Sequence, residues 1–234
     1  MSSWPVWLTA GDLTLRPLAY RDARAWRSAR RRNAVWLKPW DATVPPGTDA
    51  RPASFRSLVW RLNRQARRDL TYPFAIDVDG RFVGQVTVNN VVRGSAQFAS
   101  VGYWLDREYA GRGIMPRAVA MVIDHCFFTA GLHRIEIAIR PENSNSLRVV
   151  EKLGIREVGY APRFLHIDGA GATTGSTRSP SRSAPRGCRP GCPERPGRHR
   201  GRGGGTGPNL RLHEAPAQWT STSVRCRNAA RVRW

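Results

Sequence analysis

No run of the chain approaches 18 apolar residues, so no segment reads as a membrane-spanning helix. No charged-then-apolar leader opens it either, which makes a cytoplasmic protein with no membrane partner the expectation. Cysteine is sparse, four residues in 234. Cys126 falls on the apolar side of a helical pattern, while Cys188, Cys192 and Cys226 lie in an arginine-rich tail. Cys188-x-x-x-Cys192 lacks a matching His/Cys pair, so neither a disulfide scaffold nor a metal centre is expected. Acidic residues are few, 17 against 38 basic ones, and lysine occurs only at Lys38 and Lys152, a sign of codon bias.

What is present concentrates in Ala110-Gly111-Arg112-Gly113-Ile114-Met115. The segment before it, Phe98 to Leu105, is β-branched and aromatic. The segment after it spaces Val119, Val122, Ile123, Cys126, Phe127 and Ala130 as one face of a helix. A strand thus reaches a helix through nearly bare backbone. The first N–H groups of a helix lack intrahelical partners and sit at the positive end of its dipole, so this junction suits a phosphate. Pro116 fits the first turn, where its missing N–H would have no partner. The junction has neither G-x-x-x-x-G-K-[ST] nor G-x-G-x-x-G spacing, which argues against nucleoside triphosphates and dinucleotides. By itself a short G-x-G also reads as a plain tight connection.

Three blocks together resemble the GNAT family of acetyl-CoA-dependent N-acetyltransferases, in the RimJ/RimL branch that acetylates the N-terminal alanine of ribosomal proteins. The first is the glycine junction, similar to that family's pyrophosphate signature, with Ala110 where Gln or Arg is usual and Met115 as in the ribosomal branch. The second is Arg140-Pro-Glu-Asn143-Ser-Asn-Ser146 followed by Lys152-Leu-Gly154. The third is Leu15-Arg-Pro-Leu with Leu37-Lys-Pro39-Trp40-Asp41, which in the family lies near the acceptor.

The resemblance implies that Gly111, Arg112, Gly113, Ile114 and Met115 hold the diphosphate of acetyl-CoA. It places Asn143 on the pantetheine arm and Tyr103, Trp104 and Leu105 beside the thioester. From chemistry alone Asn143 or Ser144 caps a helix, and a cap is all that position need be. Ser146 is the candidate acid for the departing thiolate, or a helix-start hydrogen-bond donor only. The closing-hairpin position where the branch sometimes carries a Glu holds Leu165, with His166 beside it. Glu136 is the substitute candidate for the base, against a plain exposed carboxylate.

The expected fold is α/β, a GNAT-type mainly antiparallel mixed sheet flanked by helices and followed by a disordered tail. Strands are expected over 13–17, 73–78, 82–92, 96–105 and 134–139, with helices over 20–31, 55–68 and from Pro116. Asp79-Gly80 is read as a hairpin turn. Residues 1–169 form the acetyltransferase domain, with its last strand missing. Residues 170–234 are Arg/Gly/Pro-rich, hold 13 of the arginines, and show no hydrophobic period.

The tail reads as an RNA-binding segment or as an out-of-frame translation. For the second, one T restored before suitable codons for Gly171 to Ser183 regroups them as W-R-D-H-R-V-Y-A-I-T-V-E-E, the branch's own continuation. The first 169 residues alone carry 25 basic and 15 acidic side chains, with arginines crowded on the two early helices. The expected reaction is direct transfer of acetyl from acetyl-CoA to an amine without an acyl-enzyme. Two other readings are a GNAT acting on a small amine or antibiotic, and an inactive basic nucleic-acid-binding protein.

Overall fold

Period-two alternation of apolar residues builds a single eight-stranded sheet in this computed structural model, which describes residues 4–43, 54–161, 164–167 and 220–225. The strands are β1 (Leu8–Ala10), β2 (Leu13–Pro17), β3 (Tyr72–Val78), β4 (Arg81–Val92), β5 (Phe98–Leu105), β6 (Arg134–Ile139), β7 (Glu157–Tyr160) and β8 (Thr220–Arg225). Their order is β1-β2-β3-β4-β5-β6-β8-β7. The β5–β6 pair is parallel and the other neighbours are antiparallel. The α-helices are α1 (Ala23–Arg32), α2 (Ala34–Leu37), α3 (Phe55–Arg67), α4 (Ile114–Asp124) and α5 (Ser144–Lys152).

Every residue of β3 is buried, as expected of a strand covered on both faces. Tyr72, Phe74 and Ile76 join Val119, Val122 and Val150 in the larger core, and Ala75 joins Leu18, Phe55, Val59 and Leu62 in a second cluster under α3. The Asp79-Gly80 turn holds both residues at positive φ, 48° and 74°, as the tight hairpin between β3 and β4 requires.

A buried ionic knot ties this half of the sheet together. The Arg16 guanidinium on β2 donates to Asp77 on β3 at 2.6 and 3.1 Å and to Asp22, just before α1, at 2.8 and 2.9 Å. Burial alone would lower the Arg16 pKa, but the hydrogen bonds to Asp22 and Asp77 outweigh it and hold the guanidinium above its ordinary value.

The structure departs from the sequence expectation in several places. Residues 20–22 form a tight turn before α1, and α4 begins at Ile114, two residues ahead of Pro116. His125–Thr129 widens into a π turn. The short strands β1 and β7 were not expected. A domain without its last strand was expected, and Thr220–Arg225 from the tail lies between β6 and β7. Those two strands would otherwise present unpaired N–H and C=O groups to one another's flank, and a Thr/Ser/Val segment free of Gly and Pro is suited to fill the gap. The rest of the tail, including the segment assigned to an altered frame and Cys188, Cys192 and Cys226, lies outside the described residues. Among the described residues no helix is long and apolar enough to cross a membrane.

Two stability predictions follow from these groups. Arg16→Leu strands two buried carboxylates and is expected to cost about 3–5 kcal/mol, read as a lower urea midpoint. His125 is 4 % exposed, its Nε2 has no partner, and burial holds its pKa below the ordinary 6.5. Its neutral form is therefore favoured by folding, so stability is full above pH 6.5 and falls as the pH drops below that value. His125→Leu is expected to flatten that acid slope in urea titrations run across pH.

Candidate active site

The site begins where two strands part. β5 and β6 pair through Phe98–Arg134, Ala99–Ile135 and Ser100–Glu136 and then separate. The Gln97 carbonyl accepts from His133 N–H at 2.8 Å on the β6 side, whereas Asp106 N–H donates to Val83 on the β4 side at 2.8 Å. Alternation along the strand then turns the peptide groups of Val101, Tyr103 and Leu105 toward β6, into the gap. These are strong donors and acceptors with no strand to bind them.

β5 runs directly into the glycine turn. Gly111 (φ 79°) and Gly113 (φ 74°) both take the left-handed conformation that side-chain-bearing residues avoid. Gly113 caps α4, and among the described residues none of the backbone N–H groups of Gly111 through Met115 has a backbone acceptor. This is a concave set of free donors at a helix start, the geometry that receives phosphate oxygens.

The turn is held from below by a reciprocal clamp. Asn33, 2 % exposed, donates to Asp106 at 2.9 Å and accepts from Arg107 N–H at 2.9 Å, while Arg32 also donates to Asp106. Burial alone would raise the Asp106 carboxyl, but Asn33 and Arg32 outweigh it and keep it below its usual range.

The gap and the turn open into one cleft of about 670 Å³. Of the residues expected from the sequence, Tyr103, Trp104, Leu105, Gly111, Gly113, Ile114, Met115, Asn143 and Ser146 all line it. Asn143 caps α5 by accepting from Ser146 N–H at 3.1 Å, so the cap reading and the cleft position hold together. Arg112 is not on the lining; its guanidinium lies over the Tyr109 ring at 5.2 Å.

Glu136 is not brought to the cleft. It shares a strand face with Arg134, two residues away, and its carboxylate is engaged by that guanidinium. Through its pairing with Ser100 it lies on the sheet face that Gly102 and Trp104 share, but off the cleft lining.

Several lining residues were not singled out from the sequence. Arg148 and Lys152, one turn apart on α5, bring cations to the cleft, and their i, i+4 spacing after the Asn143 cap was the available signal. On the opposite wall Asp41 is held by Arg30 at 2.5 and 3.0 Å, and that guanidinium lies 5.7 and 5.4 Å from the Trp26 and Trp104 rings, which meet edge to face. Trp26 donates to Gln85 at 3.1 Å, and Gln85 donates to Thr87 at 2.9 Å. Trp26 and Arg30 are four residues apart on α1, whereas the contacts with Asp41, Gln85 and Trp104 are assembled only by the fold. Asp41 is the one acidic residue on the lining among the described residues.

A smaller cavity of about 170 Å³ adjoins between the parted strands, and Trp40, Ala42, Gly102, Tyr103, Asn143 and Ser146 border both spaces. The Tyr103 hydroxyl is enclosed there without a well-formed hydrogen bond. Burial pushes it up to about 12 while the neighbouring Ser146 pulls it the other way, so it keeps its proton at neutral pH. Leu165 and Ile167 close the smaller space from a segment docked on residues 42–43, where Thr43 N–H donates to the His166 carbonyl at 2.8 Å.

The Acetyltransferase (GNAT) domain family matches residues 12–156, and the chain belongs to that family. The [Ribosomal protein uS5]-alanine N-acetyltransferase of Escherichia coli (strain K12) is 31% identical over 166 residues, 69% of this chain and 84% of that protein. The "Probable N-acetyltransferase YjcK" of Bacillus subtilis (strain 168) is 37% identical over 116 residues, 49% of this chain and 64% of that protein. Among solved structures, Mycobacterium smegmatis RimJ in complex with CoA-disulfide superposes with a TM-score of 0.68 at 31% identity, covering 95% of this chain and 88% of that one.

Asn33→Ala removes both arms of the clamp, and each lost buried hydrogen bond is expected to cost about 1–3 kcal/mol. Amide exchange measured by mass spectrometry is expected to quicken over residues 106–113 and to stay unchanged in β2 and β3.

Proposed function

We propose that this acetyl-CoA-dependent N-acetyltransferase acts on a protein N-terminus, and that its acceptor is the N-terminal alanine of a ribosomal protein. The observation that carries the enzymatic part is the unbroken path from the unpaired peptide groups of β5 to the free amides of residues 111–115. The acceptor assignment is supported by the likeness to the uS5-alanine enzyme across 84% of that protein.

The residues present fit acetyl-CoA. Gly111, Gly113, Ile114 and Met115 offer amides to the diphosphate, and Arg148 and Lys152 add charge. The peptide groups of Val101, Tyr103 and Leu105 face the gap, where an amide-bearing arm can complete the ladder that β6 leaves off, with Asn143 on the far side. When bound, the co-substrate supplies an acyl carbon activated as a thioester. Backbone N–H groups of β5 are then placed to stabilise charge that develops on the carbonyl oxygen.

The chain's main contribution is position. Holding amine and thioester together removes several kcal/mol of barrier, of the order of 7–11 for well-oriented reactants. An α-amine has a pKa near 7.7–8.0, so roughly a tenth to a sixth of it is already neutral at pH 7 without a strong base. With Glu136 engaged by Arg134 and off the cleft lining, the amine proton leaves to water on the Asp41 side. The C–N bond forms as the C–S bond breaks, and Ser146, with the protonated Tyr103 hydroxyl beside it, supplies the proton that the thiolate takes up.

Titration calorimetry with acetyl-CoA and turnover of alanine-initiated peptides test the proposal. Gly113→Val forces a β-branched residue into a left-handed backbone, and acetyl-CoA affinity is expected to fall roughly tenfold or more. Turnover of small amines with none on peptides would instead mark a small-molecule enzyme. Ser146→Ala is expected to lower kcat by about 10²-fold or more with little change in acetyl-CoA affinity.

The pH dependence of kcat/KM offers a separate check. It is expected to rise through the amine pKa near 7.7–8.0 and to keep that shape in Asp41→Asn. An inflection that disappears in that variant would make Asp41 the base.

A further inference from the structure

The outer surfaces of α1 and α3 are not used by the chemistry above, yet they carry the densest charge among the described residues. Arg24, Arg27 and Arg31 are exposed on α1, and Arg61, Arg64 and Arg68 are exposed on α3 and just beyond it. None of the six has an ion-pair partner among the described residues. α3 holds no acidic residue, and the single one flanking α1, Asp22, is turned inward onto Arg16. The two helices meet through Trp26 of α1 and Phe55 of α3, 5.2 Å apart, and both contact the turn at residues 20–22. Their arginines therefore form one field, whose positive charges repel unless an anionic partner covers them.

Two aromatic rings sit within this field. Trp60 is 54% exposed with the Arg64 guanidinium 5.1 Å from its ring centre, and Tyr20 is 48% exposed with Arg56 at 5.3 Å. An acidic protein surface requires charge and no flat platform. Unpaired nucleotides use both, phosphate on guanidinium and base on ring.

The field also backs onto the acceptor wall. Leu58 and Leu62 of α3 line the cleft, and Trp26 and Arg30 of α1 pack against Trp104.

We propose that the outer face of α1 and α3 is an RNA-docking surface, which takes a folded RNA with unpaired bases next to the acceptor side of the cleft. Arg61, Arg64 and Arg68 engage phosphates, and Trp60 with Tyr20 stacks on bases. The inference extends the reading of a ribosomal acceptor, because RNA held there stations an RNA-bound protein's N-terminus beside the wall it must enter.

The test is fluorescence anisotropy of the full chain with a labelled RNA hairpin carrying an unpaired loop, across a sodium chloride series. The triple variant R61E/R64E/R68E is expected to weaken binding and to reduce the salt slope by about two, as losing three phosphate contacts requires. Trp60→Ala is expected to weaken binding roughly tenfold with the slope unchanged, for the looped RNA and not for a fully paired duplex. Acetyl-CoA affinity and turnover of a short alanine-initiated peptide are expected to stay at the parent level in both variants. If the triple variant does not fold, Arg64→Gln beside Trp60→Ala carries the same comparison.

RNA binding that survives the substitutions undiminished would overturn the proposal and move the interaction to the arginines of residues 171–234. Equal displacement by polyglutamate, with no effect of Trp60→Ala, would overturn it in favour of an acidic protein partner. A parent chain that binds RNA in this way without taking up acetyl-CoA would sink the enzymatic reading and leave the surface standing.

Discussion

The hydrogen bonds that β5 does not make with β6 are the constraint on which the site depends. Three residue pairs join the strands before they separate, and from Val101 onward one edge of β5 is left open beside a buried core. Backbone donors and acceptors in such a place lose free energy unless a partner is found. The strand therefore stays straight only because its other edge is fully engaged, with Gly84 through Asn89 of β4 paired along Ser100 through Leu105. A substrate arm with its own amides meets a ladder already built and aligned, so little ordering remains to be done at binding.

Anion binding at the end of that strand uses backbone where side chains would be expected. In a chain this rich in arginine, the turn itself contributes only Arg112, and that guanidinium is drawn over Tyr109. The free amides of residues 111–115 cannot swing away, since their positions are fixed by two left-handed glycines and by the Asn33–Asp106 clamp. Arg148 and Lys152 add longer-range attraction from α5 without setting the geometry. Ala110, where a polar side chain is common in the family, then costs one contact and leaves the backbone cradle whole.

How far the sequence could be read follows from the range of each interaction. β2 and β6 were legible to the residue because local alternation specifies a strand buried on one face or both. Asn143, Ser146 and the glycine turn were legible because capping and tight turning are chemistry of adjacent residues. Glu136 falls on the face that Gly102 and Trp104 share, and its engagement by Arg134, two residues away on the same strand, follows from a parity visible in the sequence. Asp41 reaches Arg30 from beyond the end of α1 and Trp104 reaches the same guanidinium from β5, contacts that no periodicity announces, whereas Trp26 and Arg30 are four residues apart on one helix. β8 was missed for a third reason. Its six residues carry a modest strand preference, and what recruits them is the pair of open edges on β6 and β7, a property of the sheet and not of the segment.

The division of labour within the sheet explains why the molecule tolerates an open seam. From β1 to β5 the ladder is continuous and antiparallel, with β3 sealed on both faces and the Arg16 knot locking β2 to β3 and to the approach to α1. That half is stable by burial and needs nothing from the cleft. The half beyond the seam, β6 with its neighbours, is attached at its base by three residue pairs and at its flank by α4 and α5. Rigidity therefore ends where chemistry begins. The residues at that border, Gly102, Tyr103, Asn143 and Ser146, line both cavities because they stand where β5 and β6 have separated.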